Sequence, residues 1–507
     1  GGTGRGKTEV NLQLLAACLA RGRQALVLVP EIGLGPQTPA RFRERFDAEI
    51  VVLHSALADG QRYRDWEAAA SGRAHIVIGT RSALFTPLAR PGLIVVDEEH
   101  DASFKQQDGF RYSARDAAVK RGQLAGCPVV LGSATPSLET LYNALEGRYR
   151  HQRLPRRAGS ALLPAIHTLD VRALPLAAGL SAALAQRVEQ TLDAGRQVLL
   201  FLNRRGYAPS LQCHDCGWVA GCDACDARLT VHRHRRQLRC HHCGAGRPLA
   251  SACPHCHSRQ LLTTGVGTEQ AEDHLQQRFA RWPVHRVDSD SMRGRNAMQA
   301  LSEQVNRGEP CILLGTQMLT KGHHFPGVTL VAVLDADALL FSADFRGEER
   351  MAQLLTQVAG RAGRADTPGE VILQTHHPDH PALQAMLQRS YARQATAMLA
   401  RRRESGLPPF GQLALLRTDA TDIEAGEDFL ARLRRDFERE ATPNCQLIGP
   451  LPSPMPRRQG RYRCQLLLLA RGRPAARAAA GRLVTLAEAL PRQGGLNWSI
   501  DIDPTDT

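Results

Sequence analysis

Lysine is almost missing from this sequence. Of 64 basic residues only Lys7, Lys105, Lys120 and Lys321 are lysine; the rest are arginine. An ammonium is a compact point charge and a guanidinium a planar fork, so a retained lysine marks a place where the exchange was not made. Three of the four fall in motifs read below. Aromatic residues make up only 5%, which excludes aromatic-rich cores and leaves packing to Leu, Ala and Val. No apolar run approaches the roughly 20 residues of a membrane-spanning helix. Residues 464–470 (CQLLLLA) are strand-sized, and no membrane partner is expected. No signal peptide is visible, although a missing N-terminus would hide one; the expected location is cytoplasmic. There is no internal repeat and no long low-complexity tract, which excludes a solenoid. There is no initiator Met, and no strand precedes the first motif. The sequence is therefore expected to be the C-terminal part of a longer protein, or a truncated one.

What is present begins with length and charge. The 507 residues have room for roughly three domains at about 150 residues each. The net charge of +14 points to a polyanionic partner such as nucleic acid, tempered by the general preference for arginine. Short apolar runs at 25–29, 50–53, 76–78, 93–96 and 129–131 read as buried parallel strands with helix-length segments such as 62–70 between them. A second series follows at 198–202, 285–288, 312–314, 330–334 and 371–374. The fold class is therefore α/β, with two tandem doubly wound lobes, a Cys/His-rich insertion in the second and a small C-terminal α+β domain. The expected divisions are 1–150 for lobe one, 151–207 for a linker and the start of lobe two, 208–262 for the insertion, 263–400 for the rest of lobe two, and 401–507 for the C-terminal domain. A nucleotide cleft is expected between the lobes.

The first eight residues, GGTGRGKT, fit the P-loop template in full. Gly1, Gly2, Thr3, Gly4, Arg5 and Gly6 would wrap phosphates with inward backbone N–H groups. Lys7 would reach the β- and γ-phosphates of ATP, and the Thr8 hydroxyl would hold Mg²⁺. A helix over 9–18 would aim its N-terminus at the anion. The strand at 93–96 runs into Asp97, Glu98, Glu99 and His100 (DEEH), a Walker B arrangement in which Asp97 would hold Mg²⁺ and Glu98 polarise the attacking water. Small hydroxyl residues in 132–136 (GSATP) follow another strand and can link the acidic motif to bound nucleic acid; capping a helix is the simpler alternative. In Gln357-x-x-Gly360-Arg361-x-Gly363-Arg364, the glycines allow close approach across the cleft and Arg361 and Arg364 can reach the γ-phosphate; a basic helix face is the alternative. Directly after DEEH, Phe104, Lys105, Phe110, Arg111 and Tyr112 interleave aromatics with cations. That pattern suits stacking on unpaired bases, with Lys105 and Arg111 on phosphates. Ordinary core aromatics at a lobe interface are the alternative.

Eight of thirteen cysteines form four Cys-x-x-Cys pairs: Cys213/Cys216, Cys222/Cys225, Cys240/Cys243 and Cys253/Cys256. Each pair can put two thiolates on one metal, so the block suits two structural Zn²⁺ ions. Spacing does not say which pairs combine. His214, His241, His242, His255 and His257 lie close by but are not needed by closed Cys₄ sites.

GKT, DEEH, SAT and QVAGRAGR, in this order and at lobe-sized separation, resemble motifs I, II, III and VI of superfamily 2 helicases, which implies that the two α/β lobes are tandem RecA-like P-loop lobes. Residues 80–82 (TRS) resemble a DNA-contacting motif of lobe one, which assigns Arg81. The segment from Gly315 through Gly322, with Thr316 and Lys321, resembles motif V of lobe two. LVPEIGLGPQT, LHSAL, GTRSALFTP, DEEHDASFKQQDGFRYSARD, FLNRRGYAP, GTQMLTKGHHFPGVTLVAVLDAD and LPPFGQLA narrow the likeness to replication-restart helicases of the PriA type (primosomal protein N-prime), from the first residue to the last. The resemblance implies an ATP-dependent 3′ to 5′ DNA helicase that unwinds DNA at stalled forks and initiates primosome assembly. It implies an aromatic loop coupling DNA binding to ATP turnover. It also implies a nested zinc arrangement: Cys213, Cys216, Cys253 and Cys256 on one ion, and Cys222, Cys225, Cys240 and Cys243 on the other. Implied partners are single-stranded and forked DNA, the acidic tail of single-strand-binding protein and other primosome proteins. For DNA or the tail, Arg473 and Arg477 are the choices from a basic C-terminal stretch, with a solvated surface as the alternative. Two departures stand out. Arg5 replaces the usual Ser of the P-loop, a change expected to be tolerated, and the family's N-terminal DNA-binding region is not present. A duplex translocase and a zinc-stabilised DNA-binding scaffold with an inert nucleotide site remain as alternative functions.

Overall fold

A computed structural model describes residues 6–31, 37–154, 164–202, 210–225, 228–232, 236–240, 244–263, 268–288, 291–292, 297–316, 325–342, 344–360, 369–388, 391–440, 442–491 and 494–506. Sequence expectations for Gly1, Gly2, Thr3, Gly4, Arg5, Cys243, Lys321, Arg361 and Arg364 lie outside these residues.

Lobe one is a parallel sheet in the order β2-β3-β1-β4-β5, built from β1 (Gln24–Leu28), β2 (Ile50–Leu53), β3 (Ile76–Gly79), β4 (Pro91–Asp97) and β5 (Val129–Gly132). Its central strands are apolar throughout because both faces are covered. Helices α1 (Lys7–Leu19) and α2 (Gln37–Arg45) pack on one face; α3 (Asp59–Ala70) and α4 (Ala114–Ala125) pack on the other. Ser113 starts α4 by accepting the Asp116 N–H at 3.3 Å, and Gly126 ends it at φ 62°.

The next helix, α5 (Leu138–Leu145), follows β5 in sequence, but its Leu138 is buried in the core of lobe two. Thus a segment numbered with lobe one packs with lobe two.

Lobe two is again wholly parallel, in the order β15-β16-β9-β17-β18-β6. Its strands are β6 (Ala165–Asp170), β9 (Gln197–Phe201), β15 (Val284–Val287), β16 (Ile312–Gly315), β17 (Val328–Val333) and β18 (Glu370–Thr375), with a small hairpin, β7 (Leu176–Ala177) and β8 (Leu180–Ser181), after β6. Helices α6 (Ala182–Asp193) and α7 (Thr268–Arg278) cover one face. The other is covered by α8 (Ala297–Asn306), α9 (Asp337–Leu340), α10 (Gly347–Ala359), α11 (Pro381–Leu387) and α12 (Tyr391–Glu404). All ten apolar runs form strands within two residues of the expected bounds. The sheet also has β6 at its edge, where the sequence reading had only a linker; AIHTLD pairs on one side alone and carries no apolar run.

Between β9 and α7 lies the insertion. It comprises an antiparallel pair, β10 (Leu211–Cys213) with β14 (Leu261–Thr263), and a three-stranded meander of β11 (Leu229–His232), β12 (Gln237–Cys240) and β13 (Gly246–Pro248). The C-terminal domain is an antiparallel sheet in the order β20-β21-β19-β22, made from β19 (Gln412–Ala420), β20 (Cys445–Arg458), β21 (Arg461–Ala470) and β22 (Leu496–Ile502). Helices α13 (Ile423–Glu438) and α14 (Arg473–Ala489) share the core formed on it. Among the described residues no helix is long and apolar enough to cross a membrane.

Candidate active site and nucleic-acid interface

Gly6 stands at φ 81° with no side-chain cap, so α1 begins with its first N–H groups uncommitted to a cap and with Lys7 as its first residue. The Lys7 ammonium is 2.8 Å from Asp97 Oδ1 and donates to Glu98. Burial disfavours a charged Lys7, but Asp97 and then Glu98 more than reverse this and leave its pKa raised. Burial likewise disfavours a charged Glu98, and Lys7 followed by His100 holds it lowered. Glu98 is also one of the non-glycine residues at positive φ, 49°, an uncommon backbone state that persists where neighbours impose it. The pair at the end of β4 could hold a divalent ion and direct a water. Thr8 is exposed one residue further along α1.

His100 carries this site to lobe two. Its Nδ1 is 2.8 Å from Ser133 Oγ and 3.6 Å from Glu98 Oε2, and its Nε2 is 2.6 Å from Gln357 Nε2 on α10. With Gln357 donating, Nε2 accepts and Nδ1–H faces Ser133 and Glu98. Motifs expected from four separate parts of the sequence thus form one chain: Lys7, Glu98, His100 with Ser133, and Gln357. Glu99 has a different task. Buried, it accepts from Ser137 N and Thr140 Oγ1, each at 2.8 Å, and caps the start of α5.

The start of α10, with Arg346 just before it, and α12 together grip the segment after GSAT. Glu349 accepts the Leu138 N–H at 2.9 Å and pairs with Arg402 at 2.7 Å; Arg346 pairs with Glu139 at 2.5 Å; Tyr391 OH donates to Pro136 O at 2.6 Å. The sequence reading missed these residues, because each is an ordinary helix residue whose partner is remote in sequence.

The aromatic loop divides into two parts. Phe104 is 2% exposed and belongs to the lobe-one core. Lys105, also buried, donates to Ile502 O at 2.6 Å and pairs with Asp501 at 2.8 Å, both at the end of β22. The expectation that these two meet bases and phosphates is corrected: Phe104 sits where an apolar ring packs, and the Lys105 ammonium is committed to the C-terminal domain. Arg81 is turned inward too, donating to Ser103 O at 2.9 Å and Lys105 O at 3.1 Å, so it braces the loop. Phe110, by contrast, is exposed and lies beside Tyr112 with ring centroids 5.7 Å apart. Arg111 Nε donates to Gln107 O at 3.0 Å from the loop surface. Thr316 follows β16, its N–H 3.4 Å from Val287 O.

In the insertion, the sulfurs of Cys213, Cys216, Cys253 and Cys256 all lie within 4.8 Å of one another, as do those of Cys222, Cys225 and Cys240. Separations of 3.6 Å for Cys213–Cys256, 3.7 Å for Cys216–Cys253 and 3.5 Å for Cys225–Cys240 are far too long for disulfides. They match the edges, about 3.8 Å, of a tetrahedron with Zn–S bonds of about 2.3 Å. Backbone N–H groups of Trp218, Ala224 and His255 point at Cys216, Cys222 and Cys253 at 3.4–3.5 Å, as expected where thiolates carry charge. The first pair joins the fourth, and the second joins Cys240 of the third. His214 is not among the clustered ligands. It bridges His376 Nε2 at 2.9 Å and Leu174 O at 2.8 Å, and His376 in turn bonds Asp337 at 2.7 Å.

Where the lobes and the C-terminal domain meet is a cavity of about 1870 Å³. Arg148, Arg346, Arg350, Arg473 and Arg477 are among its lining.

Two parallel lobes joined through DEEH, GSAT and the Gln357 helix, with a cysteine-clamped insertion in the second, define a superfamily 2 helicase core. Family models agree with this. The DEAD/DEAH box helicase family matches residues 1–144, the helicase conserved C-terminal domain 256–366, the PriA DNA helicase Cys-rich region 222–248, and the primosomal protein N C-terminal domain 403–505. The chain is 48% identical over 506 residues to the replication restart protein PriA of Haemophilus influenzae, covering 100% of this chain and 69% of that one. It is 39% identical to the Bacillus subtilis PriA, covering 92% of this chain and 58% of that one. The Rickettsia conorii PriA is 39% identical, with 93% and 72% covered. The chain thus spans from somewhat over half to nearly three quarters of these relatives. Solved helicase structures are more distant; RecG bound to a three-way DNA junction gives a TM-score of 0.46 at 14% identity over 78% of this chain and 42% of that one. The chain belongs to the PriA family of ATP-dependent DNA helicases that act in replication restart.

Proposed function

We infer that this chain hydrolyses ATP between its two lobes to move 3′ to 5′ along one DNA strand, opening stalled forks for primosome assembly. The polarity and the fork rest on family likeness alone. The observation that carries the rest is the chain from Lys7 through Glu98 and His100 to Gln357, which joins the hydrolysis site of lobe one to a helix of lobe two. Gly1–Lys7 would cradle the triphosphate. Thr8 and Asp97 would hold Mg²⁺, which supplies charge neutralisation on the phosphates. Glu98 would take the proton of the attacking water. Arg361 and Arg364, which follow Gln357 in the sequence, would reach the γ-phosphate. The two cysteine groups would hold two structural Zn²⁺ ions, with Cys243 completing the second. The arginine-lined cavity suits the acidic tail of single-strand-binding protein, with Arg473 and Arg477 as carboxylate partners. A cytoplasmic location and other primosome proteins as partners go with this reading.

The test is ATP turnover with and without single-stranded DNA, for the unaltered chain and for Lys7→Ala. DNA should raise turnover, and Lys7→Ala should abolish it, a loss of at least about 100-fold. Strand displacement measured beside it separates a helicase from a duplex translocase. An unaltered chain that ignores ATP at every DNA concentration would leave only a scaffold.

A further inference from the structure

We propose that Phe85 is a DNA-binding residue: with Tyr112 and Phe110 it forms a three-ring platform on which unpaired bases stack. This rests on the functional reading above and extends it to a residue outside the aromatic loop.

Phe85 ends a short 3-10 turn, Arg81–Phe85, after β3. Its ring centroid lies 4.8 Å from that of Tyr112 at 69°, and Tyr112 lies 5.7 Å from Phe110 at 26°. Phe85 is 60% exposed and Phe110 78% exposed. Scattered apolar residues on a surface need no explanation. Here two large rings are bared in one contiguous cluster, and only the middle ring is tied to the core of lobe one.

This exposure is not that of a loose loop. Ala83 and Leu84 just before Phe85, and Thr86 just after it, are buried. One guanidinium, that of Arg121 on α4, donates to the carbonyls on both sides of the ring, Leu84 O and Thr86 O, the latter at 2.7 Å. The turn folds tightly on β3 because Gly79 has no side chain; a Cβ there would lie 2.3 Å from the Ala83 Cβ. The fold thus spends a half-buried arginine and a glycine on holding Phe85 outward. Arg81, at the other end of the turn, ties it to the aromatic loop through Ser103 O and Lys105 O. A rigid ring costs little entropy when a ligand settles on it, and aromatic faces accept any base. Arg111 beside the platform offers a cation for the backbone. The ligand class is single-stranded DNA, without sequence preference.

The experiment measures binding of an oligo-dT strand by fluorescence anisotropy, with a blunt duplex of equal length as control. Phe85→Ala should weaken oligo-dT binding about 5- to 100-fold, affect the duplex less, and leave the melting temperature unchanged. Phe85→Trp should keep the affinity, and its added emission should be quenched by oligo-dT. The proposal is overturned if Phe85→Ala binds oligo-dT normally and the Phe85→Trp emission ignores it while Phe110→Ala is impaired; the functional reading would survive that result. It is also overturned if Phe85→Ala weakens strand and duplex equally. Conversely, unaltered protein whose ATPase ignores DNA, but whose oligo-dT affinity still falls with Phe85→Ala, would sink the functional reading and leave the platform.

Discussion

Gln357 is the residue through which α10 of lobe two touches the imidazole beside the hydrolysis site. Its amide meets His100, and His100 meets both Ser133 and the carboxylate that stands against Lys7. Glu98 is held at positive φ beside this imidazole, a state costing about 1–3 kcal/mol unless its surroundings compensate. A side chain oriented from the opposite lobe can therefore tell Glu98 when the cleft is shut. Gln357→Ala should lower DNA-stimulated ATP turnover by about 10- to 100-fold while binding of a fluorescent ATP analogue stays within about twofold, since Gln357 does not belong to the phosphate-cradling loop. Single-turnover hydrolysis with an excess of enzyme measures the first effect and equilibrium titration the second. Equal losses in both would mean that Gln357 only holds the lobes together.

Among the elements, the cysteine-rich insertion is fastened to lobe two through the series from His214 to the buried His376 and Asp337, with Gln212 Nε2 also donating to Asp337 at 3.0 Å. Among the described residues, the bonds of these groups run to one another and to Leu174 and Thr375, not to the Lys7 site. Removing zinc with a chelator should therefore lower strand displacement far more than ATP hydrolysis, and His376→Ala should reproduce part of that loss with zinc still bound, as metal analysis would show. Equal loss of hydrolysis and displacement would contradict this division. The insertion and both sheets were legible in the sequence because each leaves a local mark: thiolate pairs at fixed spacing, and apolar runs where both faces of a parallel strand are buried. β6 was not, since an edge strand pairs on one side only and AIHTLD keeps polar residues. Nor could the side taken by each aromatic be read. Phe104 and Phe110 have the same chemistry six residues apart, yet one fills the core and the other is bared. The partner of Lys105 lies 397 residues away at Ile502, so no local pattern announces it.

At the scale of the whole molecule, that partner ties three domains together. β22 ends against lobe one through Lys105 with Asp501 and Ile502 O, and Gln107 Nε2 donates to Thr505 Oγ1 at 2.9 Å. One residue further on, Asp506 pairs with Arg350 of α10 in lobe two at 2.7 Å. The C-terminal residues are thus a strap from the base of the aromatic loop to the helix that carries Gln357. Lys105 and Asp501 are both buried, so removing one partner strands a charge and should cost about 3–5 kcal/mol, whereas replacing both by apolar groups is often nearly neutral. That asymmetry separates stability from coupling. Lys105→Met and Asp501→Leu singly should each lower the melting temperature, and the double variant should recover most of the loss. If the strap only holds the fold, the double variant should also recover the full stimulation of ATPase by DNA. If it sets the loop for DNA, stimulation should stay depressed, with several-fold more DNA needed for half the effect, because a loop pinned by an ion pair is replaced by one resting on a non-directional apolar contact. We expect the second result; a double variant restored in both respects would reduce the strap to a clasp.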